Sequence, residues 1–497
     1  MKHRDFLIRA GAAALTLGTL ALAGCAPHAS VQTAPAAAAA APSAADFPTA
    51  APMPGPAPSL TLPAPVTRTL ANGLTVTYVR HGALPLVHAT LLTRGGMADD
   101  PARLPGLAAF AAEMIDEGAD GRSALELAAA LDLLGASLYT GAGWDATQVD
   151  LEVLEPRLAE ALALMADVVI RPDFPEAEIR RVRDERLTDL ARAKDEARVI
   201  AANAYAALVY GGDHPYGRTA TTTALKSMDR KALVEFHRAY YRPSASTLLL
   251  VGDVDPDALQ PLVERAFGGW QGGALEPAVA PEAPAPHATA LFLIDKPGAA
   301  QSEIRIGHPG VSRDSPDYYP LVVLNTLLGG SFTSRLNMNL RETHGYAYGA
   351  SSSFAMRLGA GPFTAASAVQ TAKTDRAVVE FFHELNRIRD EPIPGDELER
   401  AKRYVALGLP RRFETVGGVA SQLADLALYR LPLDYYGDYV ARVMAVTAED
   451  VHRVAREYVR PQGATVVVVG DRSKIEPGLR ALGIAPVTVR RAEEFVR

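Results

Sequence analysis

The sequence contains one cysteine among 497 residues, so no intramolecular disulfide can form. It also lacks an excess of positive charge. The formal net charge is −7, which argues against nucleic acid as a partner. Its composition is that of a globular protein, since 48% of the residues are hydrophobic and 22% are charged. A chain of this length is expected to fold into two or three domains.

The position of that cysteine predicts where the protein resides. Cys25 follows the basic residues Lys2, Arg4 and Arg9 and an apolar run over residues 10–23, which is the layout of a secretory signal. The run is shorter than the ~20 residues of a membrane-spanning helix. An ordinary signal peptide or a single membrane helix is the alternative.

The four residues Leu22-Ala23-Gly24-Cys25 are similar to the bacterial lipobox, in which the cysteine becomes the lipidated first residue of the mature chain. This similarity predicts a signal peptide over residues 1–24 and lipidation of Cys25. Residue 26 is alanine rather than aspartate, which by resemblance to bacterial sorting rules favours the outer membrane. We therefore expect a lipid-anchored protein on the periplasmic face of the cell envelope.

Two stretches rich in alanine and proline divide the remainder of the chain. Residues 25–65 carry almost no charge and are expected to form a flexible tether. Residues 275–288 are expected to link two parts of similar size, 66–274 and 289–497. Each part contains a helix that ends at a Tyr-x-Arg-Pro sequence, followed by an apolar strand that ends at Gly-Asp. The recurrence at the same relative place predicts two homologous units.

The pattern within each unit predicts an α+β fold. Asn72-Gly73 is a strong hairpin signal, and residues 86–93 read as the next strand. Helices are predicted from Gly106, from Ala124 and from Pro156, and a single long helix is predicted from near Pro175 to beyond Ala201. For the second of these helices, the apolar face is expected to hold the residues Leu125, Leu127, Ala128 and Leu131. A mainly antiparallel sheet with helices packed on one face fits this order of elements best.

The helix predicted at residues 106–114 is informative because it lacks metal-binding histidines. Its apolar residues fall at helical spacing, and Ala109, Ala112 and Glu113 lie on the adjoining face at i, i+3 and i+4. Zinc peptidases with the inverted motif H-x-x-E-H carry His, Glu and His at this spacing. The segment therefore has the spacing of a zinc-binding helix without its ligands.

Several motifs, taken in order, resemble the pitrilysin/insulinase superfamily, in its bacterial branch related to mitochondrial processing peptidase. They cover roughly residues 60 to 490. The resemblance implies a clamshell of two α+β units around a peptide-binding chamber. The motifs that carry it are Asn72-Gly73-Leu74, Gly95-Gly96, Gly106-Leu107-Ala108, His214-Pro215-Tyr216-Gly217, Tyr241-Arg242-Pro243, Gly252-Asp253, Leu328-Gly329-Gly330-Ser331-Phe332, Ser334-Arg335-Leu336, Leu340-Arg341-Glu342 and Gly345-Tyr346-Ala347-Tyr348.

The resemblance assigns the zinc motif position by position. The first His becomes Ala109, the general base becomes Ala112 and the second His becomes Glu113. The third ligand falls at Asp189, with Glu185 one turn earlier as the alternative. Alanine has no donor atom and catalytic zinc normally has three protein ligands, so this chain is expected to hold no zinc.

Two readings of the remaining carboxylates stay open. Glu113 and Asp189 could hold a hard cation such as Mg²⁺ or Ca²⁺, or Glu113 and Asp116 could be solvated residues that line the chamber. The second reading is favoured. His214, His237 and His344 show no ligand spacing and are expected to be ordinary surface or loop histidines.

The second unit retains residues of the family's catalytic machinery. In active members an Arg and a Tyr at the spacing of Arg341 and Tyr348 reach across to the zinc. There the Tyr resembles a donor to the oxyanion and the Arg a clamp on a substrate carbonyl. Tyr346 is the competing tyrosine. Gly329 and Gly330 could let the backbone approach a bound peptide, or could form only a tight helix–loop junction.

In the processing-peptidase branch that this chain resembles, one subunit often carries zinc while its partner has lost it, so the resemblance implies a divided active site. We expect the zinc-lacking subunit of a heterodimeric metallopeptidase, inactive alone, which contributes Arg341 and Tyr348. A homologous partner would carry H-x-x-E-H and the zinc, and the substrate would be an unfolded peptide added to a sheet edge. The alternative is an envelope protein that binds peptides or assists assembly without peptidase activity.

Overall fold

A computed structural model describes Gly55 and residues 64–275, 281–285 and 287–497. The predicted signal peptide, Cys25 and most of the predicted tether lie outside the described residues, as does part of the predicted linker. Among the helices within the described ranges, none is long and apolar enough to cross a membrane.

The first half contains a six-stranded sheet in the order β1-β2-β8-β3-β7-β6 and a small ribbon of β4 and β5. Its neighbouring strands are antiparallel except for the parallel pair β2 and β8. The strands are β1 Val66–Thr69, β2 Thr75–Arg80, β3 Leu86–Arg94, β4 Gly118–Ala119, β5 Arg122–Ser123, β6 Ser137–Ala142, β7 Ala146–Leu154 and β8 Ser246–Gly252. The helices are α1 Leu107–Met114, α2 Ala124–Leu134, α3 Leu158–Ile170, α4 Glu176–Ala193, α5 Ala197–Tyr210, α6 Thr222–Ser227, α7 Arg230–Tyr240 and α8 Pro256–Phe267.

The second half contains a six-stranded sheet in the order β11-β12-β10-β13-β9-β14. Its strands are β9 Ala290–Asp295, β10 Gln301–Pro309, β11 Ala347–Phe354, β12 Pro362–Gln370, β13 Thr465–Gly470 and β14 Val487–Arg490. Its helices are α9 Tyr318–Asn325, α10 Arg335–Asn337, α11 Thr374–Asp390, α12 Gly395–Gly408, α13 Val416–Leu428, α14 Tyr439–Ala445, α15 Ala448–Tyr458 and α16 Arg472–Ala481. Two π-helical segments, Thr326–Gly330 and Met338–Thr343, flank α10.

The two sheets repeat one plan. In the first half β8 lies between its parallel neighbour β2 and its antiparallel neighbour β3. In the second half β13 lies in the same way between β9 and β10. The strand that follows Arg-Pro is therefore central in both sheets, and β11 is the counterpart of the edge strand β6. The predicted α+β class with two similar units is confirmed.

The halves exchange one helix each. Helix α5, from the first half, packs on β13 and β10 of the second sheet, whereas α13, from the second half, packs on β3 and β8 of the first. The alternation of strand side chains explains this arrangement. Along β8, Leu248 and Leu250 belong to the core of the first half, whereas Leu249 and Val251 belong to the core that contains α13. Each sheet is thus covered on one face by its own helices and on the other by the exchanged helix.

The predicted long helix after Pro175 is wrong in one respect. The structure ends α4 at Ala193 and begins α5 at Ala197. The break lets α5 leave the first half and bury Ile200, Ala201 and Ala204 against the second sheet. A local pattern cannot show this change of direction, because each segment is helical by itself.

The predicted apolar face of α2 is also wrong in part. Leu127 is the buried residue of this helix, whereas Leu125 is 80% exposed. The start of the helix is as predicted, because Ser123 and Glu126 form a capping box around its first turn.

The C-terminal residues join the two halves. Phe495 and Val496 are buried beside α5 and β13. The carbonyl oxygen of Arg497 accepts hydrogen bonds from the backbone nitrogen of Thr222, at 2.8 Å, and from its hydroxyl group, at 3.1 Å.

We expect a pH dependence of stability that originates at His88, on the face of β3 that meets α13. Its ring nitrogens lie 3.3 Å from Asp150 and 3.3 Å from Glu152. Burial lowers the pKa of His88, but the hydrogen bonds and charges of these carboxylates outweigh burial and raise it above 6.5. The resulting stabilisation is complete below the unfolded-state pKa and is lost as the pH rises through the folded-state pKa.

The check is urea unfolding of wild type and His88→Gln at pH 6 and pH 8. The free energy of unfolding should fall more between these pH values for wild type than for the variant. Equal falls in the two proteins would contradict the assignment.

Candidate functional site

The N-terminus of α1 is held by a buried carboxylate. Asp100 accepts hydrogen bonds from the backbone nitrogens of Gly106, at 2.6 Å, and Ala108, at 2.7 Å. Burial raises the pKa of Asp100 to about 6, although these two bonds oppose the rise. Gly106 has φ of 95°, a conformation that favours glycine and turns the chain into the helix.

Helix α1 presents the degenerate motif beside its buried face. Leu107, Phe110 and Met114 are buried in the core of the first half. Ala109 and Glu113 are partly accessible, whereas Ala112 is 1% exposed. The position that the resemblance gives to the general base therefore holds a packed methyl group.

An arginine occupies the place beside Glu113. Arg186, on α4, donates a hydrogen bond through Nε to Glu113 Oε2 at 2.6 Å and through a terminal nitrogen to the carbonyl oxygen of Ala109 at 2.8 Å. Its guanidinium carbon lies 5.3 Å from the centre of the Phe110 ring. The guanidinium of Arg186 thus pairs with the one carboxylate of the motif, and its positive charge would repel a metal ion.

Arg186 is an ion-pair partner of Glu113 that sequence reasoning missed, although the Glu113 side chain is still 44% exposed. The arginine lies three residues before Asp189, on the same side of α4 at helical spacing. A search for a basic residue within one turn of the third-ligand position would have found it.

The two alternatives for the third ligand have arginine partners of their own on α4. The side chain of Asp189 is 73% exposed and lies 3.7 Å from Arg192, and Glu185 pairs with Arg181 at 3.0 Å. Asp116 is partly buried, and burial raises its pKa to about 6. Across the described ranges, no group of three or more His, Cys, Asp or Glu side chains is arranged to hold a metal ion. The residues on α1 and α4 do not fit zinc.

The structure brings Arg341 and Tyr348 together. Arg341 lies in the second π-helical segment, a local geometry found often at functional sites. Its guanidinium carbon is 4.9 Å from the centre of the Tyr348 ring and 4.8 Å from that of Phe332. Tyr348 is 86% exposed, so its hydroxyl is accessible to another molecule. Phe332, which the sequence motif included without a role, completes the packing of this arginine.

The competing tyrosine has a different neighbourhood. Tyr346 stacks on His344, with ring centres 4.9 Å apart, and its backbone nitrogen donates to the carbonyl oxygen of Leu340. His344 lies 3.6 Å from Glu380. The cation that faces Tyr346 is Lys373, at 5.9 Å. The contact with Arg341 belongs to Tyr348.

The two glycines before this segment differ in their surroundings. A Cβ atom on Gly329 would lie 2.1 Å from the backbone nitrogen of Ser352, so glycine is needed where the first π-helical segment packs on β11. A Cβ atom on Gly330 would lie 2.8 Å from the amide of Asn325. Packing within the chain accounts for both positions and favours the tight-junction reading.

The other two histidines also have partners within the chain. His214 accepts from the backbone nitrogen of Tyr216 at 3.0 Å. The expectation of a surface or loop position is wrong for His237, which lies partly buried in α7 with Nε2 at 2.8 Å from the carbonyl oxygen of Val169. Burial lowers the pKa of both rings.

Each sheet has an edge strand beside these residues. β6 pairs with β7 and lies at one end of the first sheet, close to α1. β11, which carries Tyr348, lies at the corresponding end of the second sheet. An edge strand has free backbone groups that can pair with an added peptide.

Comparison with protein families gives two adjacent matches. The profile described as "Insulinase (Peptidase family M16)" matches residues 81–219, which include α1 and α4. The profile described as "Peptidase M16 inactive domain" matches residues 227–405, which include Arg341 and Tyr348.

Similar curated proteins are described as uncharacterized zinc proteases. One from Mycobacterium tuberculosis is 28% identical over 438 residues, covering 84% of this chain and 97% of the relative. One from Bacillus subtilis is 23% identical and covers 78% of this chain and 94% of the relative.

Solved structures share the fold. A peptidase M16 inactive domain from Pseudomonas fluorescens has a TM-score of 0.77 and 24% identity, covering 82% of this chain and 98% of that one. A protease from Helicobacter pylori has a TM-score of 0.75 and 21% identity, covering 82% and 100%.

Proposed function

The chain belongs to the insulinase superfamily of M16 peptidases, and from this premise we propose that it is the zinc-lacking subunit of a heterodimeric metallopeptidase. A homologous partner carries H-x-x-E-H and the zinc. This chain contributes Arg341, Tyr348 and part of the wall that binds an unfolded peptide.

The observation that carries the proposal is the contrast between the two halves. In the first half, the ion pair of Arg186 with Glu113 stands where the family has its metal. In the second half, Arg341 and Tyr348 lie in contact, and Tyr348 is exposed on an edge strand. A chain that had lost all catalytic use would have no need of an exposed aromatic donor beside an arginine.

The chemistry assigned to the pair requires only these side chains. The Tyr348 hydroxyl would donate a hydrogen bond to the substrate oxygen on which negative charge develops. The Arg341 guanidinium would hold a carbonyl oxygen of the same peptide. The contact with Phe332 limits the freedom of Arg341, so its position is set before substrate binds.

The test is reconstitution with a homologous chain that contains H-x-x-E-H, for which a neighbouring reading frame is the first candidate. We expect co-purification, one zinc per heterodimer, and cleavage of a quenched peptide by the pair but by neither chain alone. The control pair carries Gln in place of the partner's motif Glu and should be inactive.

Two outcomes would reject the assignment. Stoichiometric zinc and turnover in this chain alone would make it a self-sufficient enzyme. Failure to associate with any chain that bears the motif would favour the envelope binding protein.

We further propose that the mature chain is anchored through Cys25 to the outer membrane and faces the periplasm. The support is the lipobox-like sequence before the cysteine. In a bacterial host, labelled palmitate should be incorporated into wild type but not into Cys25→Ala, which should fractionate away from membranes. Labelling of the variant, or membrane association unchanged by it, would contradict the proposal.

A further inference from the structure

Three cavities share Tyr429 in their linings. Residues of both halves line the first and the third, whereas residues of the second half alone line the second. Their volumes are about 440, 1010 and 190 Å³. The first half contributes β6 and the β6–β7 turn, and the second half contributes the end of α13 and residues 354–358. We call the three together the interhalf cleft.

The interhalf cleft is rich in arginine. In the part of the chain that the structure describes, none of its arginines forms an ion pair with a carboxylate. The arginines that line it are Arg94, Arg313, Arg357, Arg411, Arg412 and Arg430.

Aromatic rings hold two of these cations in place. The guanidinium carbon of Arg357 is 4.1 Å from the centre of the Trp144 ring and 4.4 Å from that of Tyr216. That of Arg313 is 3.8 Å from the Tyr318 ring. Rings position a cation without cancelling its charge, so both remain available to an anion.

Six arginines but four carboxylates line the cleft, and one of these carboxylates, Asp145, lies near Arg357. Asp145 accepts from the backbone nitrogen of Leu358 at 3.0 Å, and Asp150 accepts from the hydroxyl of Thr90 at 2.6 Å and lies 3.3 Å from His88. Asp314 bonds with a serine hydroxyl, and Asp425 lies near Arg313 and Arg412. Positive charge therefore exceeds negative charge along the cleft.

Arg430 gives an independent indication. Its φ is 53°, in the left-handed region, immediately after α13 ends. Glycine is the usual residue at such a position, because a side chain there is strained. Arg430 also faces a like charge, since burial and the charge of Arg430 lower the pKa of Arg94. Arg430 is exposed, so water screens much of this repulsion, but the position still places two cations side by side where an anion could contact both.

We propose that the interhalf cleft binds the carboxylates of an acidic, extended peptide segment. The inference rests on the proposed function in one respect, that this peptide is part of the heterodimer's substrate. The wall formed by β6 explains the extended form. Residues 139–142 of this edge strand line the same cavity as Arg357. A peptide paired with β6 would point every second side chain toward the arginines.

The test measures binding to this chain alone, without the partner. The probe is a fluorescent ten-residue peptide with glutamate at alternate positions, and the comparison peptide has glutamine there. We expect at least tenfold tighter binding of the glutamate peptide and a loss of affinity as salt is added.

The variant is Arg430→Gly, which removes the charge and relieves the backbone strain, so the fold should be retained. It should weaken binding about tenfold, and Arg94→Gln should do the same. The matched control is Arg238→Gln, an exposed arginine on α7, which should leave affinity unchanged.

Equal affinity for the glutamate and glutamine peptides would overturn the inference, as would tighter binding of inorganic phosphate or an oligonucleotide. Acidic-peptide binding by a chain that never supports cleavage would reject only the proposed function. Cleavage by the heterodimer, together with no binding of the acidic peptide by this chain, would reject only the cleft assignment.

Discussion

Replacing Tyr348 with phenylalanine in the reconstituted heterodimer is expected to lower kcat about 100- to 1000-fold with little change in KM. The loss of one oxyanion donor has this effect in other enzymes. In the proposed role the hydroxyl would act mainly where charge develops in the transition state, so the ground-state complex should form almost as well. Because Tyr348 is 86% exposed, the substitution should leave the fold intact.

Arg341→Ala is expected to reduce kcat/KM by a similar factor, with part of the loss in KM. The guanidinium would bind the peptide before reaction as well as during it. It also packs between Tyr348 and Phe332, so its removal loosens the tyrosine. Steady-state kinetics with a quenched peptide over a range of concentrations would separate the two effects.

Tyr346→Phe is the matched control. This tyrosine is two residues from Tyr348 but faces His344 and Lys373. Its hydroxyl should be dispensable, with activity within about twofold of wild type. A large loss in Tyr346→Phe together with normal rates in Tyr348→Phe would exchange the roles of the two tyrosines. Normal rates in all three variants would remove the Arg–Tyr pair from the mechanism.

Arg335→Met is expected to destabilise the chain by about 3 to 5 kcal/mol, the usual cost of leaving one partner of a buried ion pair alone. Arg335 is 4% exposed at its side chain, and its Nε and one terminal nitrogen bind the two oxygens of Glu397 at 2.8 Å each. The pair ties α10 to the first turn of α12. The Ser-Arg-Leu motif in the sequence therefore has a structural use.

The check is urea unfolding of wild type, Arg335→Met and the double variant Arg335→Met/Glu397→Met. The double variant should recover most of the lost stability, because two apolar side chains can replace a buried pair. The coupling free energy then isolates the pair from the packing of the arginine stem. A single variant that unfolds within about 1 kcal/mol of wild type would show that the pair contributes little.

Much of the fold could be predicted because its signals are local. The hairpin at Asn72-Gly73, the strand at 86–94 and the start of α1 follow from turn chemistry and periodicity over a few residues. The repeated Arg-Pro and Gly-Asp elements predicted the duplication, and β8 and β13 indeed occupy the same place in the two sheets.

The errors lie where distant parts of the chain meet. Leu125 follows the helical pattern of α2, yet it is exposed because no element covers that side of the helix within the described ranges. The long helix predicted after Pro175 is two helices because the second sheet takes α5 as its cover. The periodicity of a helix shows which of its faces is buried. It does not show which half of the molecule that face packs against.

The sequence by itself determined that Ala109 and Ala112 have no metal-binding atoms. It also placed Arg341 and Tyr348 at the spacing for which the family resemblance implies a catalytic pair. The atoms that a side chain carries follow from its residue type alone, whatever the fold. Only the tertiary structure decided that Arg186, which is 73 residues from Glu113 along the chain, neutralises it. The same holds for the interhalf cleft, whose arginines come from separate segments of both halves. Electrostatic interactions act over distances in space, and the fold alone establishes which charges are near one another.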